Sequence, residues 1–323
     1  YLFELERRGY LQAGAFVPEV VLEHPEQVTS LHEQFAHAGS DVVVAFTYYG
    51  NRRKLRMLGM EDRLAPMNQQ ALALARDVAD RYGALLAGDV SNTNVYDPSD
   101  TATHAEVRTM FDEQVGWAAE ANVDYVVAET LRYAGEAEIA LEAIRAAGLP
   151  AVVTLAADRQ DTMRDGPSLT ETVRRLAGAG ADVVGLNCSR GLATMLPLLT
   201  SARGAVDVPV AALPVPYRTT PEQPTFHTLA DPALPGRDPF PTGLDPFTCT
   251  RYEVAEFTVA ADAAGVRYLG LCCGAAPHHI RAMAEALGRK PPASRYSEDM
   301  SKHDILGTDA DVAEQGATGR EQH

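Results

Sequence analysis

Residues 123–155, VDYVVAETLRYAGEAEIALEAIRAAGLPAVVTL, place two short apolar runs on either side of a segment with helical periodicity. The runs at 123–129 and 150–155 are rich in Val, which is typical of strands buried on both faces of a sheet. The segment at 134–147 repeats apolar residues every three to four positions and predicts an amphipathic helix. A strand, a covering helix and a second strand form a βαβ unit, so the two strands should be parallel.

The same alternation continues along most of the 323-residue chain. We predict strands at about 41–47, 84–90, 123–129, 150–155, 181–187, 208–213 and 266–271, and helices at about 25–38, 66–82, 104–121, 134–147, 168–179, 192–203, 251–264 and 277–287. This alternation begins with a helix and predicts an α/β fold, a (β/α)8 TIM barrel whose first strand lies upstream of Tyr1. We assign the barrel to residues 1–290. Residues 291–323 are polar and irregular, and we expect a C-terminal tail that contacts another subunit of a homo-oligomer or stays disordered.

The overall charge limits the classes of partner. A formal net charge of −16 and a pI near 5.0 argue against binding to nucleic acid or to an anionic membrane surface. The chain has no apolar run of membrane-spanning length, and its first residues do not form a signal peptide. We therefore expect a soluble, cytoplasmic protein whose partners are small molecules.

One connection is far longer than the others. About 37 residues, 214–250, separate the strand predicted to end near Leu213 from the helix predicted to begin near Arg251, whereas most connections have about 4–6 residues. The segment is rich in proline, and its aromatic side chains favour an ordered lid or a partner contact over a flexible linker. These aromatic residues are Tyr217, Phe226, Phe240 and Phe247.

Three of the four cysteines follow predicted strands: Cys188 follows the fifth strand, and Cys272 and Cys273 follow the seventh. A disulfide between neighbouring cysteines would be strained, which favours free thiols. Because the carboxyl ends of parallel strands meet on one face of a barrel, the three thiols should meet there. Three thiolates with an open fourth position form a typical Zn2+ site. The alternative is a zinc-free barrel that binds a small metabolite or partner and whose cysteines are only buried.

Other candidate ligands have structural explanations. Cys249 lies at the junction of the long connection and the next helix, and we expect it not to bind metal. His278 and His279 follow Pro277, a residue favoured in the first turn of a helix. We therefore predict that both histidines begin the last helix and take no part in catalysis.

Four stretches carry a resemblance over nearly the whole chain. They are GLNCSRG at 185–191, GLCCGAAPHHIRAMAEAL at 270–287, HAGSDVVVAFTYYGNRRKL at 37–55 and ERRGYLQAGAFVPE at 6–19. They resemble the homocysteine S-methyltransferase family, and most closely its betaine-dependent members. The family uses its GxNC and GxCCG motifs to bind zinc, so the resemblance implies that Cys188, Cys272 and Cys273 are zinc ligands. It also implies transfer of a methyl group to homocysteine, which gives methionine.

The resemblance further implies how homocysteine is held. Glu129 ends the strand VVAE and would bind the ammonium group of homocysteine, a role that also suits a carboxylate at a strand end. Asn187 precedes Cys188 and would help to form the substrate site by orienting the zinc loop through hydrogen bonds. We expect Glu129 and Tyr49 to be the catalytic residues.

The methyl donor is the most open part of the prediction. Tyr48, Tyr49 and Phe16 match positions near the donor in the family, and such rings attract an onium group. Thr130 stands where the vertebrate betaine-dependent members have Tyr, and Leu213 where they have Gln, so this pocket has fewer polar groups. Glycine betaine, which would give dimethylglycine, is the leading donor. S-methylmethionine, dimethylsulfoniopropionate or another betaine is the alternative.

Overall fold

A curled sheet of seven parallel strands forms the centre of the protein in the computed structural model, which describes residues 1–304 and 306–310. The strands are β1 (Val42–Val44), β2 (Leu85–Ser91), β3 (Tyr125–Leu131), β4 (Ala151–Leu155), β5 (Val183–Gly191), β6 (Val210–Val215) and β7 (Tyr268–Leu269). Each strand pairs with the next in chain order, and in the described residues the sheet is open between β1 and β7. This arrangement confirms a TIM-barrel-like α/β fold. The eighth strand, expected upstream of Tyr1, stays a prediction.

Helices surround this sheet, and the longer ones cover its outer face. The helices are α1 (Leu2–Arg7), α2 (Val20–Glu23), α3 (Pro25–Ala38), α4 (Arg52–Met57), α5 (Leu64–Tyr82), α6 (Thr101–Glu120), α7 (Ala134–Ala146), α8 (Leu169–Gly178), α9 (Leu192–Arg203), α10 (Arg251–Ala263) and α11 (Pro277–Ala286). All the predicted helices are confirmed, whereas the short helices α1, α2 and α4 were not predicted. None of the helices in the described part of the chain is both long and apolar enough to cross a membrane.

Local sequence fixes where several helices begin and end. The Ser168 hydroxyl accepts a hydrogen bond from the N–H of Glu171 at the start of α8. Thr250 and Glu253 form a capping box at the start of α10. Gly39 ends α3 with φ = 112°, a left-handed conformation that favours glycine. These caps set where the connections leave the helices, and so position the loops around the sheet.

The strands read as continuous apolar runs because both faces of the sheet are buried. Inside the barrel, Ala87, Tyr125, Val127 and Val152 form one apolar cluster, and a larger cluster packs the outer face against the helices. The interior also has polar groups: the hydroxyl groups of Tyr125 and Tyr268 lie 2.9 Å apart. The inside of the barrel is therefore less uniformly apolar than the layer beneath the helices.

The long connection between β6 and α10, residues 216–250, is folded, and we call it the lid. Its two ends pair with each other, because the N–H of Arg218 donates to the carbonyl of Phe247 and the N–H of Cys249 donates to that of Pro216. Between them the lid carries two short 3-10 turns, Phe226–Thr228 and Asp245–Phe247. The paired ends explain why so long a connection keeps a defined position.

The first part of the C-terminal segment returns to the barrel. A 3-10 turn at Pro292–Tyr296 packs near α3 and α11, and Glu298 forms an ion pair with Arg251 at 3.1 Å. Residues 305 and 311–323 lie outside the described residues. The division at residue 290 and the expected subunit contact stay predictions.

Gly185 allows β5 and β6 to approach each other, because a Cβ at this position would overlap the backbone of Ala211. We expect Gly185→Ala to lower the free energy of unfolding by about 2 kcal/mol or more, as overpacking does. Gly116→Ala is the control, since Gly116 lies inside α6 with open space around it. It should raise stability by about 0.5–1 kcal/mol. Urea unfolding of both variants checks this, and equal effects would contradict the close approach.

Candidate functional site

Three thiols meet at the carboxyl end of the sheet. The Sγ atoms of Cys188, Cys272 and Cys273 all lie within 4.8 Å of one another. Cys188 and Cys273 are 3.8 Å apart, and Cys272 and Cys273 are 3.9 Å apart. The structure therefore brings together the three cysteines that the sequence analysis singled out. Cys249 is buried elsewhere, against the helices around the sheet.

The thiols influence one another's ionisation. The thiols of Cys272 and Cys273 hydrogen-bond to Cys188 and hold its pKa well below the usual value, and the charge of Arg132 acts in the same direction. The pKa values of Cys272 and Cys273 are raised, chiefly by their hydrogen bonds with Cys188. Three thiolates within 4.8 Å of one another would repel each other, so a cation is needed to hold all three.

Irregular backbone at two strand ends aims these side chains. The pairing of β5 with β6 shifts register between Asn187 and Gly191, and Cys188 and Ser189 in that interval have φ of 56° and 57°. The pairing of β3 with β4 shifts in the same way around Thr130, which has φ = 62°. Such left-handed conformations are costly for residues other than glycine and cluster at functional sites. The predicted strand 181–187 thus continues to Gly191, and Cys188 lies inside the bulge and not after the strand.

Asn187 connects the two irregular strand ends. Its Oδ1 accepts from the N–H of Thr130 at 2.8 Å, and its Nδ2 donates to the Thr130 hydroxyl at 2.8 Å. The same Nδ2 lies 3.0 Å from Oε2 of Glu129 and 3.8 Å from Sγ of Cys272. Because its side chain is fully buried, these contacts hold Glu129 and the thiol cluster in one arrangement.

A cavity of about 690 Å³ runs from the thiols into the barrel. Glu129, Cys272 and Cys273 line it, and Tyr48 lies beside them. Burial, and after it the charge of Cys272, raise the pKa of Glu129 to about 8. The carboxylate is therefore costly to ionise in the empty cavity, and a cationic ligand would favour its charged form.

The aromatic residues are only partly brought together. The rings of Tyr48 and Tyr49 are 4.5 Å apart, and Nζ of Lys54 lies 5.0 Å from the centre of the Tyr49 ring. Phe16 instead packs against Phe3, with ring centres 5.8 Å apart. Tyr48 borders the cavity directly. Phe16 contacts Phe3, and it is Phe3 that lines the cavity.

The lid covers the thiol cluster from above the sheet. Phe226, Leu229 and Leu244 pack in one apolar cluster with Phe3 and Cys188, and Cys272 and Cys273 lie against that cluster. At the edge of the same cluster, a Cβ at Gly274 would overlap the hydroxyl of the buried Tyr217. The lid and the turn after Cys273 therefore fit closely together.

Two charged residues near the thiols were not singled out from the sequence. Asp89 lies in β2 and lines the cavity, and a carboxylate inside the apolar run ALLAGDV is a visible signal. Arg132 donates to the hydroxyl of Ser189 at 3.2 Å and pairs with Asp158. Its position just after β3 was the available signal, since strand ends form the functional face of such barrels.

The two histidines of the last motif lie where they were expected. Pro277 is the first residue of α11, and Nδ1 of His279 accepts a hydrogen bond from the N–H of Ala276 at 3.1 Å. Burial lowers the pKa of His279 to about 4. The ring is therefore a neutral, structural cap of the helix.

Comparisons with known proteins agree on one family. The family model described as homocysteine S-methyltransferase matches residues 3–287. Betaine–homocysteine S-methyltransferase 1 of Danio rerio is 37% identical over 95% of this chain and 76% of its own length. S-methylmethionine–homocysteine S-methyltransferase BHMT2 of Rattus norvegicus is 34% identical over 97% of this chain and 83% of its own. The metallated form of the homocysteine methyltransferase MmuM of Escherichia coli shares the fold, with a TM-score of 0.69, 20% identity and coverage of 87% and 92%.

The raised pKa of Glu129 predicts a pH-dependent stability in the metal-free protein. Its folded-state pKa of about 8 exceeds the ordinary 4.5, so the folded state binds the proton more tightly. This contribution is complete below about pH 4.5 and is lost as the pH rises through 8. We expect the free energy of unfolding to fall from pH 5 to 8, and Glu129→Gln to reduce that fall by at least about 1 kcal/mol.

Glu253→Gln is the matched control for this measurement. The guanidinium of Arg218 lowers the pKa of Glu253 to about 2, so this carboxylate stays ionised throughout the range. Urea unfolding at four pH values should show an unchanged slope in the control. Equal slopes in the wild-type and Glu129→Gln proteins would contradict the assignment.

Proposed function

Since this chain belongs to the homocysteine S-methyltransferase family, we propose that it transfers a methyl group from glycine betaine to homocysteine in a zinc-dependent reaction. The products are dimethylglycine and methionine. The observation that carries the proposal is the cluster of three thiols at the mouth of a cavity that also holds the carboxylate of Glu129. Few other chemistries need three sulfur ligands beside a site for an ammonium group.

The cysteines fit zinc in number, chemistry and spacing. Thiolates are preferred zinc ligands, and a Zn–S distance of about 2.3 Å in a tetrahedron separates the sulfur atoms by about 3.8 Å. Two of the three sulfur pairs, at 3.8 and 3.9 Å, agree with this value, and the third pair lies within 4.8 Å. Zinc bound there would supply a positive charge that favours the thiolate form of the substrate thiol. Cys188, Cys272 and Cys273 would hold the ion.

Glu129 and Asn187 position the acceptor. The Asn187 amide donates a hydrogen bond to Oε2 of Glu129 and so fixes the position of the carboxylate. The carboxylate then accepts a hydrogen bond from the homocysteine ammonium. A charge-assisted bond of this kind is stronger than a neutral one. Orienting the acceptor in this way lowers the entropy cost of the transfer, because the sulfur is already directed at the donor methyl group.

The transfer is a displacement at carbon. The homocysteine sulfur forms a bond to a methyl carbon of the donor as the bond from that carbon to nitrogen breaks, and the electron pair stays on nitrogen. The thiol proton has already left, and dimethylglycine takes up a proton in solution. The lid packs over the thiols and excludes water, which favours reaction of an anionic thiolate with a cationic donor.

We assign the donor pocket to Tyr48 and Tyr49. Phe16 supports the pocket from a second layer, behind Phe3. Lys54 already lies over the Tyr49 ring, and a quaternary ammonium is attracted to such rings by the same electrostatic interaction. S-methylmethionine is the second candidate donor, because the rat relative named for that donor is nearly as similar as the betaine-dependent ones. Its sulfonium would bind the same rings.

A zinc-free barrel that binds a small metabolite is the alternative from another functional class. In that case the three thiols would only fill space. The convergence of three Sγ atoms within 4.8 Å, beside a cavity that also holds the Glu129 carboxylate, argues against that explanation. Metal content separates the two classes.

We expect one zinc ion per chain in protein purified without chelators. Each of three variants removes one ligand: Cys188→Ala, Cys272→Ala and Cys273→Ala. We expect each variant to lose the ion and to transfer methyl groups more than about a hundredfold more slowly. Cys249→Ala is the control and should keep both. Elemental analysis and methionine formation measure the two properties. A zinc-free wild-type protein, or loss of zinc in the control, would reject the site.

A panel of donors tests the remaining choice. With homocysteine as acceptor, we expect methionine to form fastest from glycine betaine and more slowly from dimethylsulfoniopropionate and S-methylmethionine at equal concentration. Tyr49→Ala should lower the rate about 3- to 30-fold, the range expected for losing one cation–π contact. Tyr49→Phe keeps the ring and should stay close to wild type. Activity with S-methylmethionine alone would reject glycine betaine as the donor.

A further inference from the structure

Asp89 is a buried carboxylate one step deeper in the barrel than Glu129. In the pairing of β2 with β3, Ser91 lies opposite Glu129, and Asp89 lies opposite Val127. Side chains two residues apart point to the same face of a strand, so the Asp89 and Glu129 side chains share the inner face. Both residues line the cavity. Asp89 thus lies beneath Glu129 on the neighbouring strand.

Asp89 is buried with one carboxylate oxygen that no described residue satisfies. Its side chain is only 5% exposed, and its Oδ1 atom has no hydrogen-bond partner among the described residues. Buried carboxylates are normally paired or hydrogen-bonded, because removing them from water is costly. The unfilled acceptor is therefore available to a donor that enters the cavity.

The surroundings of Asp89 show what kind of donor would satisfy it. Glu129 and Cys272 line the same cavity as Asp89, and acidic groups gathered around one space favour a cation as its occupant. Because both carboxylates lie on the inner face of adjacent strands and line one cavity, one ammonium group can interact with both of them.

We propose that Asp89 and Glu129 together bind the α-ammonium group of the homocysteine acceptor, an inference that rests on the function proposed above. An ammonium group has three N–H donors. Oε2 of Glu129 is occupied by Asn187, which leaves Oε1 of Glu129 and Oδ1 of Asp89 as acceptors. Two carboxylates on one ammonium give a recognition site for thiols that carry an amino group, and exclude those that do not.

The amino group itself is the variable in the test. The zinc-loaded protein is titrated calorimetrically with homocysteine and with 4-mercaptobutanoic acid, which has the same thiol and carboxylate but no amino group. We expect the wild type to bind homocysteine more tightly. Asp89→Asn should weaken homocysteine binding about tenfold and change the binding of 4-mercaptobutanoic acid less than about twofold, because only the former loses a charge-assisted bond.

A double variant tests whether the two carboxylates share one ligand. Asp89→Asn combined with Glu129→Gln should lose less homocysteine affinity than the sum of the two single changes, because neighbouring residues on one ligand are coupled. Asp124→Asn is the control. Asp124 lines the far end of the same cavity and accepts from the N–H of Leu86 at 2.7 Å, a bond that Asn can keep. It should leave both affinities unchanged.

Each other outcome rejects the inference. If Asp89→Asn weakens both thiols equally, Asp89 acts on the metal site or the fold; if it raises only the donor KM, Asp89 faces the donor. If the variant does not fold, as judged by zinc content and thermal unfolding, Asp89→Ser replaces it with the same expectations. A wild type that binds no homocysteine rejects the proposed function itself, whereas a discriminating wild type with an unaltered Asp89→Asn variant rejects this inference alone.

Discussion

The hydrogen bonds of one buried amide hold the functional end of this barrel together. Asn187 accepts from the backbone of Thr130 and donates toward the Thr130 hydroxyl and Glu129, with Cys272 within 3.8 Å. These contacts join the ends of β3 and β5 to the loop after β7. Because both polar atoms of the amide are used inside the protein, a side chain of similar size without them would leave buried groups unpaired.

The energetic cost of this arrangement is concentrated at the rim. Tyr49, Thr130, Cys188 and Ser189 all have positive φ values, and each follows or interrupts a strand. The regular part of the barrel below them has ordinary strand geometry and an apolar interior. A barrel is expected to have a stable frame and a strained rim. The rim must direct side chains inward at angles that regular strands do not provide.

Much of the frame and part of the site could be predicted from sequence, for reasons visible in particular residues. Long amphipathic helices with strong caps, such as the one begun by Thr250 and Glu253, are determined locally. The three thiols could be placed because strand ends converge. The bulge at Cys188 could not be predicted, because it depends on register with β6. Asp89 was missed because the pattern of a strand does not show how deep in the barrel each side chain lies. Phe3 was missed because α1 is too short to show helical periodicity.

The contact between the lid and the turn after Cys273 has an evolutionary consequence. The hydroxyl of Tyr217 occupies the space that a Cβ at Gly274 would need. A change at either position therefore requires a change at the other. Residues 232–238 at the tip of the lid, by contrast, are exposed, and exposed tips of this kind tolerate insertions. Descendants of this chain can therefore vary in length at the tip while the two ends of the lid stay constant. Divergence in this protein should therefore concentrate at the exposed tip of the lid.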